Sequence, residues 1–198
     1  MEDSLVDVRR DLETIRSLME KARHYRHLPA SAAFTAGLLA AAGAGATHAL
    51  LSEAPIDQAA ARLGIVWGSV LAAALGATAF LWQRKLRRVG AAAWSPLAAD
   101  LLHTLWPSCL VGVALTAALA RAGSPELVPA VWMLTYGAAG IAAGNYTRPA
   151  IRGIGLSFLA SGLADLVFEI PPAIALGVSF GLFHFALGAV LLTRPEWE

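Results

Sequence analysis

The chain holds a single cysteine, Cys109, which rules out an intramolecular disulfide and any Cys-x-x-Cys redox or zinc site. Charge is scarce as well: 15% of residues are Asp, Glu, Lys or Arg, against about 25% in a soluble domain. A water-soluble fold of 198 residues with this composition would lack the polar surface to cover itself. The opening residues do not read as a cleavable secretory signal, because they are charged and helix-like where a short basic flank and an apolar core are needed. The first apolar block is therefore expected to act as an uncleaved anchor. No complete catalytic or ligand-binding signature interrupts the sequence, and the net charge of +1 hides an uneven distribution that says nothing about nucleic acid until it is mapped; no nucleic-acid partner is expected.

What the chain has in abundance is apolar length. Six blocks, Ser31 to Leu51, Leu63 to Trp82, Leu101 to Leu119, Leu127 to Gly144, Ile151 to Phe168 and Ala173 to Leu192, are separated by short polar connections. Each approaches the ~20 residues with which an α-helix crosses a bilayer. The expected fold is all-α: six transmembrane helices (29–198) in a lipid bilayer, preceded by an amphipathic amino-terminal helix (1–28). Arg and Lys alternate with the connections. Arg9, Arg10, Arg16, Lys21, Arg23 and Arg26 precede the first span; Arg84, Lys85, Arg87 and Arg88 follow the second, Arg148 and Arg152 the fourth, and Arg194 the sixth. The other connections hold only Arg62 and Arg121, beside Glu53, Asp57, Glu126 and Glu169. By the positive-inside rule both termini are expected in the cytoplasm. Trp67, Trp82, Trp94, Trp106 and Trp132 are expected to include interfacial anchors near span ends.

Two features point to association. In the amino-terminal segment Leu5, Val8, Leu12, Ile15, Met19 and Ala22 recur at spacings of three and four, one narrow helical face. An isolated helix of this length is marginal in water, so its seam needs a partner: a second protomer in a short coiled coil, the bundle, or the membrane surface. Within the spans, Gly64, Gly68, Ala72 and Gly76 recur every fourth residue, as do Gly37, Ala41 and Gly45, then Gly140 with Gly144 and Gly177 with Gly181. Such small-residue faces let helix backbones approach closely. They predict a tightly packed bundle with one stripe left over for an oligomer interface.

Ionisable residues inside spans are costly in lipid and mark candidate sites. Here they are His48, Asp100, His103, Asp165, Glu169 at the end of span five, and His184. Asp100 and His103, at i,i+3, share a helix face, yet two ligands are too few for a metal site. His48, Asp165 and Glu169 are expected to share one layer near the outer side, whereas His184 lies roughly 18 Å along span six at ~1.5 Å per residue. His48 and His184 would be the natural axial pair for haem, but their depths differ by about 12 Å on the same rise, so no cofactor is predicted.

Six spans with Gly181, His184 and Gly188 in the last invite comparison with rhomboid-type intramembrane serine proteases. The nucleophile motif fails, because Gly155-Leu156-Ser157-Phe158 lacks the final glycine and lies in span five. Without a positioned serine, His184 has no proton to take. Ile15-Arg16-Ser17-Leu18-Met19-Glu20, Trp94-Ser95-Pro96, Tyr136-Gly137 and Gly181-Leu182-Phe183-His184 together resemble a group of small bacterial integral membrane proteins that have a cytoplasmic helix and about six spans. The resemblance implies a bacterial inner-membrane location and supplies no catalytic residues. The sequence thus favours a non-enzymatic membrane protein that associates with itself or serves as an accessory subunit. A proton-coupled carrier using His48, Asp165, Glu169 and His184 is the alternative, and a haem-binding redox subunit the third.

Overall fold

The computed structural model describes Leu12 and residues 29–52, 56–88, 96–145, 147 and 149–193. Among these, six helices are long and apolar enough to cross a bilayer. They are α1 (Ala30–Leu51), α2 (Ile56–Arg88), α3 (Pro96–Ala122), α4 (Val128–Gly144), α5 (Pro149–Phe168) and α6 (Pro172–Thr193). The expected amino-terminal helix and its coiled-coil seam lie outside the described residues except for Leu12, so the first helix described along its length is itself a span.

Proline marks where the helices begin. Pro29 sits in extended conformation before α1, Pro96, Pro149 and Pro172 open α3, α5 and α6, and Pro129 is the second residue of α4. At a first helical turn the missing N–H costs nothing and the fixed φ is already helical. Two of the turns between spans need positive φ: Gly123 after α3 (φ 74) and Glu169 after α5 (φ 48). Glycine accepts that conformation freely, whereas a side chain there is uncommon.

The connections α1–α2, α3–α4 and α5–α6 lie at one face of the bundle, the hairpin face, and α2–α3 and α4–α5 at the opposite face. α1 packs between α2 and α6; α6 continues onto α5 and α4; α4 and α5 form the closest pair; α3 lies outside α4. α2 and α3 are therefore the outer helices, with 6% of each span buried against 39% for α4. Near the hairpin face Leu63, Val128 and Leu176 form one apolar cluster; Met133, Phe158 and Ala175 form another towards the middle.

α2 has 33 residues, which at ~1.5 Å per residue is about 50 Å, longer than the ~30 Å hydrocarbon layer. At the hairpin face Arg62 donates from Nη1 to the Leu50 carbonyl (2.8 Å) and from Nη2 to Gln58 Oε1 (2.9 Å). One of the two basic residues expected on that side thus satisfies a terminal carbonyl of α1.

Two tryptophans expected as interfacial anchors turn inward instead. Trp67 Nε1–H donates to Thr47 Oγ1 (2.9 Å), and Thr47 donates in turn to the Gly43 carbonyl (2.8 Å). Trp132 repeats the arrangement on Thr116 (3.0 Å), which donates to Gly112 (2.7 Å). Each clasp fastens the first helix of a hairpin to the second through a Gly-x-x-x-Thr step, with the glycine leaving room for the partner's side chains. An indole N–H needs a partner away from water, so the threonine hydroxyl decides where each ring docks. Thr47→Val, which keeps the shape and removes the acceptor, is expected to lower stability by about 1–3 kcal/mol. Thermal unfolding of the detergent-solubilised protein measures it; an unchanged midpoint would mean that the α1–α2 clasp contributes nothing. Trp106, by contrast, is exposed on α3, as an interfacial anchor should be.

Candidate functional site

α6 is not a continuous α-helix. Residues Gly177–Leu182 form a π-turn, in which the Phe183 N–H reaches back five residues to the Val178 carbonyl. Such turns inside α-helices recur at functional sites. The glycines at its ends face α1: a Cβ on Gly177 would lie 2.9 Å from Ala44 Cβ, and the Gly181 carbonyl is 3.1 Å from where a Cβ on Gly37 would sit. The opposite side of the turn presents Ser179, Phe180 and, just beyond it, His184 to α4 and α5.

These side chains build a polar pair inside an aromatic shell. Tyr136 Oη and His184 Nε2 are 3.0 Å apart, and Ser179 Oγ–H donates to Met133 Sδ (2.8 Å). Phe158, with 0% exposure, packs its ring 4.8 Å from Tyr136, 4.8 Å from Phe180 and 5.8 Å from His184. The Phe180 ring stacks on the imidazole at 6.3 Å and 17°, and Trp67 lies 5.9 Å from Phe180, so α2, α6, α4 and α5 are linked through one row of rings. His184 is buried and its Nδ1 has no hydrogen-bond partner. A neutral imidazole donates through one nitrogen and accepts through the other. Either tautomer can engage Tyr136, and Nδ1 is left with the Phe180 backbone of its own helix nearby but no well-formed hydrogen bond.

Asp165 stands apart. Its carboxylate faces the backbone N–H of Ile170, across the positive-φ turn at Glu169, while Oδ1 has no partner although the residue is buried. The Glu169 N–H donates to the Asp165 carbonyl (3.0 Å), so main chain and side chain of one residue both close the α5–α6 connection. The layer expected from His48, Asp165 and Glu169 does not form: His48 and Glu169 are exposed, and only Asp165 turns into the bundle. The same exposure of His48 separates it from the buried His184, so these two histidines do not face one another. His103 is exposed on α3, and the side chain of Asp100 lies outside the described residues. Ser157 donates to the Gly153 carbonyl of its own helix (3.2 Å), and the imidazole of His184 is engaged by a phenol. Among the described residues no group of three or more His, Cys, Asp or Glu side chains converges on one point.

The small-residue stripes divide into used and unused. Gly137, Gly140 and Gly144 of α4 lie against Gly155 and Arg152 of α5, and Gly37 of α1 lies against Gly181 and Phe185 of α6. Gly64, Gly68 and Gly76 of α2 have open space around them: a Cβ at any of the three would meet no atom within 4 Å. Gly45 is equally open.

Tyr136, Ser179, Met133 and Thr47 were not singled out as site residues from sequence, because they are not charged. A count of helix rise could have found the central pair. Tyr136 lies about 12 Å from the start of α4 and His184 about 18 Å from the start of α6, both measured from the hairpin face at ~1.5 Å per residue.

No protein-family model matches the chain, and no curated protein or solved structure matches it significantly. What stands on sequence and structure together is a polytopic, all-α membrane protein with six candidate spans among the described residues.

Proposed function

We propose that the protein is a non-enzymatic component of a bacterial inner membrane that associates with itself or with a larger membrane complex through α2. The observation that supports this reading is the row Gly64, Gly68, Gly76: Gly37, Gly137, Gly140, Gly144 and Gly155 serve close approach between helices, while this row meets none of the described residues. A four-residue repeat of small residues on an outer helix is the surface on which a second membrane helix packs most closely, since lipid gives no hydrophobic drive to helix pairing and backbone contact must supply it. Orientation with both termini in the cytoplasm is supported by the basic end of α2 and by Arg152 at the start of α5. In that orientation the sequence spacing of Leu5, Val8, Leu12, Ile15 and Met19 would place a coiled-coil seam in the cytoplasm.

Crosslinking in membranes tests the reading. Cysteine introduced at Ala72, in a Cys109→Ala background, is expected to crosslink to a second copy or to a partner helix. Replacing Gly68 and Gly76 by isoleucine is expected to reduce the crosslinked fraction at least fivefold without lowering thermal stability. A protein that stays monomeric in mild detergent and captures nothing in membranes would overturn the proposal.

A second reading, a proton-coupled carrier, is favoured by one observation: the buried His184 beside the π-turn, bonded to the half-buried Tyr136 and with Nδ1 lacking a hydrogen bond. Ionisable groups at such depth commonly serve transport. On this reading the candidates are the buried Asp165 and His184, with Tyr136 bonded to His184 alone. Proton flux in proteoliposomes that is unchanged by Asp165→Asn and His184→Gln would dismiss it.

A further inference from the structure

The row of small residues on α2 does not end in the membrane. Continued at the same four-residue step it runs Gly64, Gly68, Ala72, Gly76, Phe80, Arg84, Arg88, and every one of these residues is exposed. Arg87 is also exposed and sits one turn from Arg84, so three guanidinium groups share one side of the helix end, with Lys85 half-buried at its edge. No carboxylate of the described residues forms an ion pair with them, and α2 contains no acidic residue beyond Asp57 near its start.

Height places this cluster. Arg62 is fixed at the hairpin face by its bond to the Leu50 carbonyl. From there α2 rises about 33 Å to Arg84 and about 39 Å to Arg88 at ~1.5 Å per residue. The hydrocarbon layer is ~30 Å thick and the bilayer ~40–45 Å with its headgroups. The guanidinium groups therefore stand in the phosphate layer, and Phe80 and Gly76 lie immediately below them at acyl-chain level.

From this we infer that the Arg84–Arg87–Arg88 face of α2 is a binding site for an anionic phospholipid. Guanidinium groups engage phosphate through paired, charge-assisted hydrogen bonds. Basic clusters directly adjoining a membrane span attract anionic lipid. A net negative headgroup fits a site with three positive charges and no counter-charge among the described residues, whereas a zwitterionic one brings its own ammonium into it. The inference does not depend on whether protein covers the glycine row, because the headgroup site lies above it.

Native mass spectrometry of the full-length protein in mild detergent, with equal phosphatidylglycerol and phosphatidylcholine added, tests it and reads lipid and protein stoichiometry separately. Retention of phosphatidylglycerol at least fivefold above phosphatidylcholine is expected, lost in the Arg84→Gln, Arg87→Gln, Arg88→Gln protein and kept in the corresponding triple Arg→Lys protein. Equal retention of the two lipids, or a preference that survives the glutamine substitutions, overturns the inference. Displacement of the lipid by millimolar inorganic phosphate would reassign the site to free phosphate and also overturn it. Should the glutamine variant fail to insert, wild-type protein decides the matter: the preference must fall when salt is raised from 50 to 500 mM, and a salt-independent preference counts against it.

Discussion

Alanine at Gly155 is expected to cost about 1–3 kcal/mol, and isoleucine there to prevent the bundle from forming. The added Cβ would stand 2.6 Å from the Ile141 nitrogen, 2.8 Å from the Gly140 carbonyl carbon and 2.9 Å from the Gly137 oxygen. All three are main-chain atoms of α4, so no side-chain rotation relieves the overlap and the two helices must separate. Gly137 answers from the other side, where a Cβ would lie 2.7 Å from the Leu159 nitrogen. The loss would spread, because α4 and α5 carry Met133, Tyr136 and Phe158, around which the middle of the bundle is built. Thermal unfolding followed by size-exclusion of the detergent complex measures the effect. Gly64→Ala supplies the comparison, since it meets open space and alanine favours a helix by about 1 kcal/mol. If Gly155→Ala proved as heat-resistant as Gly64→Ala, the close approach of α4 and α5 would be wrong.

The second large effect concerns the central pair. His184→Leu is expected to destabilise by about 1–3 kcal/mol through the stranded Tyr136 hydroxyl, and Tyr136→Phe by a similar amount through an imidazole left with neither nitrogen paired. The double substitution Tyr136→Phe/His184→Leu removes both polar groups, and removing both partners of a buried hydrogen bond is far milder than stranding one. It should therefore recover most of either loss. Additive losses in the double-mutant cycle would show that the two groups act independently. The same double variant separates the two proposed readings: under association through α2 its crosslinking should be unchanged, and under proton transport its flux should be lost.

The six spans were legible because lipid demands apolar length, and length survives any uncertainty about packing. Charge alternation likewise assigned Arg62 to the sparsely charged side, but only coordinates show it holding the Leu50 carbonyl. What sequence could not convey was rotation about each helix axis. His48 and Asp165 were expected in one layer, and their heights allowed it; the faces on which they lie did not. Trp67 and Trp132 were read as anchors because tryptophan favours the interface, and the threonine acceptors that draw them inward sit on neighbouring helices far along the chain. Among the glycine stripes, all of one composition, sequence gave no means of telling those that meet a helix from the one that does not.

The π-turn has one further consequence, for the length of the chain itself. A turn closed over five residues holds one residue more than an α-turn. Deleting a single residue between Gly177 and Leu182 would return α6 to regular winding with Pro172–Leu176 in nearly its present rotation, because the turn gives up the one residue it holds in excess. Ala175 and Leu176 would then keep their places in the two apolar clusters that they join. A deletion in Phe183–Thr193 has no such slack and would rotate the residues beyond it by about 100°, so paired single-residue deletions inside and outside the turn probe α6 more sharply than substitution.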